Sequence, residues 1–309
     1  MTEPRGVMFL RRLFGLATTS MMVMMILGAP SLVRAQVGAD LSISPKRVTF
    51  DETGRSATLY IFNRGSQAAT YSLSLVDRVM TPDGQIRTVA EAAGAPEGAA
   101  ANGRLKSATT LLTFAPRRVT LQPGESQTVR IRVLRPADLT VGEYRSHLTV
   151  TDVPPETAGV TAEEAVAPSA GELAVRVVAL FSVSIPVIVR QGPADVQAAI
   201  DTVSFSVKDP PAVPGAAAPK RTGVLSIDLV RKGASSLFGD VEVRAVKAGK
   251  PGEVVGGAKG VAVYGEIDRR TLALPLTRIP ASGEVLDIVL RDDDTRAGTP
   301  LATVDFTVP

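Results

Sequence analysis

The sequence predicts an all-β chain: two immunoglobulin-like β-sandwich domains preceded by a cleaved signal peptide. Three observations lead there. Short segments of alternating apolar and polar residues recur along the chain, Gly, Pro, Asn and Asp punctuate them, and helical periodicity is hard to find beyond residue 35.

The leader comes first. Arg5, Arg11 and Arg12 precede an apolar, Met-rich run from Leu13 to Leu32, and Val33-Arg34-Ala35 ends it in small-x-small fashion before Gln36. That order is the order of a secretory signal peptide, cleaved after Ala35. An uncleaved anchor is the alternative, since a membrane span needs ~20 apolar residues and the run is nearly that long. No other stretch competes: Leu173 to Val189 is interrupted by Arg176 and Pro186. The whole chain carries +3, and residues 1–35 hold four arginines (Arg5, Arg11, Arg12, Arg34) and Glu3, so the mature chain is neutral. Neutrality removes the electrostatic footprint of a nucleic-acid binder. Export favours disulfides, yet the chain has no Cys, so its core must hold without covalent staples.

Strand patterns then follow in two groups. Residues 56–63 (SATLYIFN), 70–77 (TYSLSLVD), 127–134 (QTVRIRVL) and 145–152 (RSHLTVTD) each alternate with the period of about two that a half-buried strand requires. Turn signals separate them at 63–66 (NRGS), 81–84 (TPDG), 122–125 (QPGE) and 141–143 (VGE). The first domain therefore spans 36–190, and Gln191-Gly192-Pro193 opens the second, 191–309. Its strands are expected at 224–230, 240–246, 260–267, 270–276, 284–290 and 302–308. Ala90 to Asn102, Thr157 to Gly171 and Pro210 to Pro219 are poor in large apolar residues and read as surface loops.

Residues 172–190 (ELAVRVVALFSVSIPVIVR) are the most informative. Leu173, Val175, Val177, Ala179, Phe181, Val183, Ile185, Val187 and Val189 are all apolar and share one strand face. A typical strand has only about 5–6 residues. Either the segment divides into two core strands bent at Pro186, or its first part, about 173 to 181, lies at a sheet edge and offers an apolar row to another chain.

Four segments in order resemble the periplasmic pilus chaperones of the PapD type. They are LSISPKRVTFDETGRSATLYIFNRG, FAPRRVTLQPGESQTVRI, GEYRSHLTVTDVPP and SIPVIVRQGP, and together they cover about residues 41–192. The resemblance implies a chaperone that binds and caps pilin-like subunits by lending them an edge strand, and that delivers them to an outer-membrane usher. It implies Leu173, Val175, Val177, Ala179 and Phe181 as the lent face. It also implies Arg47 as the anchor of the subunit's terminal carboxylate, although by itself Arg47 reads as a solvated strand residue. The family's second anchoring cation, a Lys, falls here on Pro186, so either another cation acts with Arg47, with Lys46 and Arg190 as candidates, or the anchoring differs in this chain. A structural or adhesive envelope protein, with the long strand paired internally, is the alternative reading.

Catalytic chemistry is not expected. His147 is the only histidine and lacks a nucleophile or a second ligand, so it reads as a packed or half-exposed strand residue, with no zinc site and no general base. Asp292-Asp293-Asp294 lacks the spacing of a calcium loop and reads as a solvated turn. Gly256-Gly257 lacks the context of a phosphate loop. No cofactor, no metal, no nucleic acid and no small-molecule substrate is expected.

Overall fold

A computed structural model describes residues 41–153, 181–209 and 221–309. Strands dominate it, and they assemble into two pairs of facing sheets. The expected signal peptide and the loops placed at 157–171 and 210–219 lie outside the described residues.

The first pair is built from β1 (Leu41–Ser44), β2 (Val48–Phe50), β3 (Ser56–Asn63), β4 (Ala69–Val76), β7 (Leu112–Ala115), β8 (Arg118–Leu121), β9 (Ser126–Val133), β10 (Gly142–Val153) and β11 (Ser182–Gln191). One sheet has the order β1-β3-β9-β7 and the other β2-β11-β10-β4-β8. Alternation does the sorting. Leu59 and Ile61 of β3, Val129 and Ile131 of β9, and Leu148 and Val150 of β10 are fully buried and meet in one apolar cluster between the sheets. The turn at 122–125 behaves as its residues dictate: Gly124 takes φ +76° after Pro123, and the Glu125 N–H donates to the Gln122 carbonyl at 3.0 Å. Asn63 closes the neighbouring turn, its Nδ2 donating to the carbonyls of Gln67 and Leu121 at 2.8 and 3.1 Å.

The second pair comprises β12 (Ala198–Lys208), β13 (Thr222–Arg231) and β16 (Arg269–Pro275) in one sheet, and β14 (Leu237–Lys247), β15 (Lys250–Val263), β17 (Val285–Asp292) and β18 (Pro300–Thr307) in the other. Leu225, Ile227 and Leu229 of β13 face Val243, Leu286 and Ile288 from the opposite sheet in a second core. The strand expected at 260–267 is longer and ends earlier: β15 stops at Val263, and Tyr264 to Ile267 form a turn closed by the Ile267 N–H on the Tyr264 carbonyl at 3.1 Å.

One expectation fails. Residues 90–102 are not a bare loop but belong to two helices, α1 (Val89–Ala92) and α2 (Pro96–Arg104), which follow a hairpin of β5 (Arg78–Met80) and β6 (Ile86–Thr88). Thr88 and Glu91 form a reciprocal capping box, and Pro96 sits where a helix start lacks use for its N–H. Small residues let the helices touch: a Cβ on Gly98 would stand 2.2 Å from the Ala92 carbonyl oxygen. This insertion leaves the first sandwich by sequence and joins the second by packing, since Val79, Met80, Ala92 and Ala101 are part of the second core. Polar bonds fasten it there. The Thr271 N–H donates to the Pro82 carbonyl at 2.8 Å, and Arg104 grips Asp268 with two bonds of 2.8 and 2.6 Å.

Candidate functional site: an open strand edge leading into an ion-paired cleft

Strand β11 drives Ile185, Val187 and Val189 into the first core. The same face continues outward through Val183 and Phe181, which are 38% and 53% exposed. The apolar row thus leaves the core instead of ending in it.

The main chain of β11 is covered unequally. On one side β10 accompanies it from Thr151↔Ser182 to Gly142↔Gln191, and the Asp152 N–H extends the ladder to the Phe181 carbonyl at 2.9 Å. Alternation therefore points the N–H and C=O groups of Phe181, Val183 and Ile185 at β10, and those of Ser182, Ser184 and Pro186 the other way. On that other side, β2 runs parallel to β11 and pairs only with Val187 to Val189. Among the described residues no strand lies beside Ser182 to Pro186. Pro186 falls on the open side, where its missing N–H breaks no ladder bond. Of the residues expected to form the lent face, Leu173, Val175, Val177 and Ala179 lie outside the described residues, and Phe181 stands at the mouth of the open edge.

Where the open edge stops, the cleft between the sandwiches begins. Val48 opposes Val187, and the residue before it is Arg47. Arg47 is not a solvated strand residue: its side chain is 10% exposed and reaches into the second sandwich. Nη2 donates to Asp294 Oδ2 at 3.0 Å, Nε donates to Thr49 Oγ1 at 3.2 Å, and the guanidinium lies 4.4 Å from the centre of the Phe238 ring. Its Nη1 is buried without a hydrogen-bond partner. A buried guanidinium with a vacant donor is suited to a carboxylate.

Arg190, at the end of β11, completes the network. It donates through Nε to Glu143 Oε2 at 3.0 Å and through Nη2 to Asp294 Oδ2. Burial pulls its pKa down, but Asp294 and Glu143 more than offset that and leave it above the ordinary value. Glu143 also accepts from the Ser236 N–H at 3.2 Å, tying β10 to the second sandwich. Lys46, the other substitute considered for the missing Lys, is exposed.

The acidic run is corrected too. Asp292 is buried and folds its own loop, accepting from the Asp294 and Arg296 N–H groups at 3.0 and 2.6 Å and from the Thr295 hydroxyl at 2.7 Å. Burial pushes its pKa up, and these bonds together outweigh burial and hold it below the usual carboxylate value. The turn delivers Asp294 to both arginines.

Behind this layer lies a second. Arg145 is ion-paired with Glu266, stacks 4.0 Å from the centre of the Tyr264 ring and donates to the Arg78 carbonyl at 2.9 Å. Glu266 also accepts the Met80 N–H at 2.8 Å. Tyr264 lies between Arg145 and Arg47, whose guanidinium is 5.9 Å from its ring centre. His147 is a packed strand residue, as expected, and its ring lies 3.2 Å from an Arg145 nitrogen. Burial first, then the charges of Arg145 and Arg78, lower its pKa to about 2, so the ring is neutral and accepts.

Sequence reading missed Glu143, Phe238, Tyr264, Glu266 and Asp294. Only the cap-like Asp292-x-Asp294 pattern carried a local signal. Among the described residues, no three His, Cys, Asp or Glu side chains gather into a metal site, and no helix is long and apolar enough to cross a membrane.

No family model matches the sequence, and no curated protein does. Solved structures give loose likenesses. The YadV chaperone aligns over 87% of this chain and 100% of its own, at 11% identity and a TM-score of 0.40. The CupB2 chaperone of Pseudomonas aeruginosa aligns over the same shares at 13% identity and a TM-score of 0.40. The CsuC–CsuE chaperone–tip adhesion subunit pre-assembly complex of Acinetobacter baumannii gives 87% and 98%, 13% identity and a TM-score of 0.36.

Proposed function

We propose that this chain is an exported periplasmic chaperone, not an enzyme, that lends the open edge of β11 to pilus subunits lacking a strand and passes them to an outer-membrane usher. In this reading the mature chain forms two immunoglobulin-like sandwiches, 36–190 and 191–309. The supporting observation is single: β2 covers β11 only from Val187 to Val189, while the apolar face emerges from the core at Val183 and Phe181. A guest strand laid beside Ser182 and Ser184 gains main-chain hydrogen bonds, and its side chains find an apolar row.

In this reading the guest runs parallel to β11. Entering parallel to β11, as β2 does, it runs head-on into Val48, and its terminal carboxylate arrives beside Arg47. The buried donor Nη1 then gains a charged acceptor, which supports a one-arginine anchor in a chain that has Pro186 where a Lys is expected.

Co-expression with a candidate pilin-like subunit tests the reading. A 1:1 soluble complex that disappears with Val177→Asp or Phe181→Asp is the expected result, because a charge entering an apolar groove is costly. Unimpaired capture by both variants overturns it.

A further inference from the structure

Arg47 is held by fewer directional bonds than its burial suggests. Among the described residues its carboxylate partner is Asp294 alone, through the single oxygen Oδ2, and that oxygen also accepts from Arg190 Nη2. The bond from Nε goes to the neutral Thr49 hydroxyl. One shared oxygen and one hydroxyl do not fix the tilt of a guanidinium plane as a bidentate carboxylate does. The remaining constraint acts on the faces of the plane. The Phe238 ring centre lies 4.4 Å from the guanidinium carbon, and that of Tyr264 lies 5.9 Å away. A guanidinium over an aromatic face is attracted by the ring's quadrupole, more strongly where water is excluded. Phe238 is itself well seated: it opposes Ala262 across the β14–β15 ladder and packs against the second core. Its carbonyl accepts the Asp293 N–H at 3.0 Å, so the same residue also carries the turn that delivers Asp294. Tyr264 differs, because it stacks closer to Arg145, at 4.0 Å, and belongs to the deeper layer.

We propose that Phe238 is a positioning residue for the Arg47 anchor: its ring fixes the guanidinium plane so that the Nη1 edge is presented to an incoming carboxylate. Nε is turned to Thr49 and Nη2 to Asp294, and Nη1 is the buried nitrogen without a partner. With a ring against its face, the guanidinium meets a guest in its own plane, the geometry in which a planar carboxylate accepts best. The ring also lowers the cost of holding a cation half-paired in a site poor in water, so Arg47 stays in place before a guest arrives. This inference rests on the strand-lending reading and adds to it the residue that orients the anchor.

The test titrates the whole mature protein with an acetylated peptide of alternating Thr and Val, about ten residues long, the length of a long strand. The peptide is made once with a free terminal carboxylate and once with a terminal amide. Wild type is expected to bind the acid at least about tenfold more tightly than the amide, the strength of a charge-assisted bond. Arg47→Ala should erase that preference. Phe238→Leu keeps apolar bulk and removes the aromatic face, so it should shrink the preference to within about threefold and leave affinity for the amide within about twofold of wild type. Phe238→Met, a second replacement without a ring, should behave the same way, and Phe238→Tyr should restore the preference. In the free protein, nitrogen relaxation of the Arg47 Nε–H should report a rigid side chain in wild type and Phe238→Tyr and a mobile one in Phe238→Leu. A full preference for the acid in Phe238→Leu and Phe238→Met, or an Arg47 Nε–H as rigid there as in wild type, overturns the proposal and leaves the anchor standing. A preference that survives Arg47→Ala, or no binding of either peptide, overturns the anchor reading and the proposal with it.

Discussion

Val48 pairs with Val187, and at that pair the open side of β11 ends. Among the described residues the strand has one neighbour over Ser182 to Pro186, and from Val187 to Val189 it has two. The position of that boundary, one residue after Arg47, joins the edge to the cleft and gives the account its geometry.

Removing a main-chain donor from the open side should harm capture and little else. Ser182→Pro deletes an N–H that points away from β10, so the ladder to β10 is kept. Subunit affinity is expected to fall at least about tenfold, the cost of one or more hydrogen bonds left unmade, with the unfolding midpoint nearly unchanged. Calorimetric titration alongside a thermal melt checks both.

Breaking the deep ion pair should cost stability. Glu266→Ala leaves Arg145 buried and uncompensated and also orphans the Met80 N–H. A loss of about 3–5 kcal/mol is expected. Urea unfolding measures it, and a loss under about 1 kcal/mol, the scale of a surface pair, would contradict the burial argument.

His147 makes a clean pH probe because the chain has no other histidine. Its folded pKa is lowered to about 2, so the folded state refuses a proton that the unfolded state accepts near pH 6.5. Stability contributed by neutral His147 is full above that pH and declines as pH falls below it. Between pH 7.5 and 5.5 the loss should be about 1.4 kcal/mol. It should be absent in His147→Gln, compared by urea unfolding at the two pH values.

Asp292 gives the acid-side counterpart. Its folded pKa is depressed, so its contribution is present above the ordinary carboxylate value and is lost as pH falls through the folded one. Asp292→Ala should remove about 2 kcal/mol, the scale of hydrogen bonds to a charged group, and should release Asp294 from Arg47 and Arg190. Unfolding curves at pH 7 measure the loss, and the Nη–H resonances of Arg47 and Arg190 report the release.

Much of the strand framework is legible because alternation is a local property: 56–63 and 127–134 show their buried faces in their own letters. Helix α2 is not, because its contact face is made of Gly98 and Ala101, which carry no amphipathic signal. Arg47 and Asp294 are invisible as a pair for a different reason. They lie 247 residues apart, and each alone resembles a solvated charge. The apolar run after Glu172 is plain in the sequence, but which of its main-chain sides is open depends on where β2 stops.

Amide hydrogen exchange at β11 is the decisive measurement. In the free protein the Val183 and Ile185 amides, bonded to β10, are expected to exchange slowly, while Ser182 and Ser184 exchange like open chain and become protected only when a subunit is added. Slow exchange at Ser182 and Ser184 in the free protein would mean the edge is already paired, and the strand-lending account would be wrong.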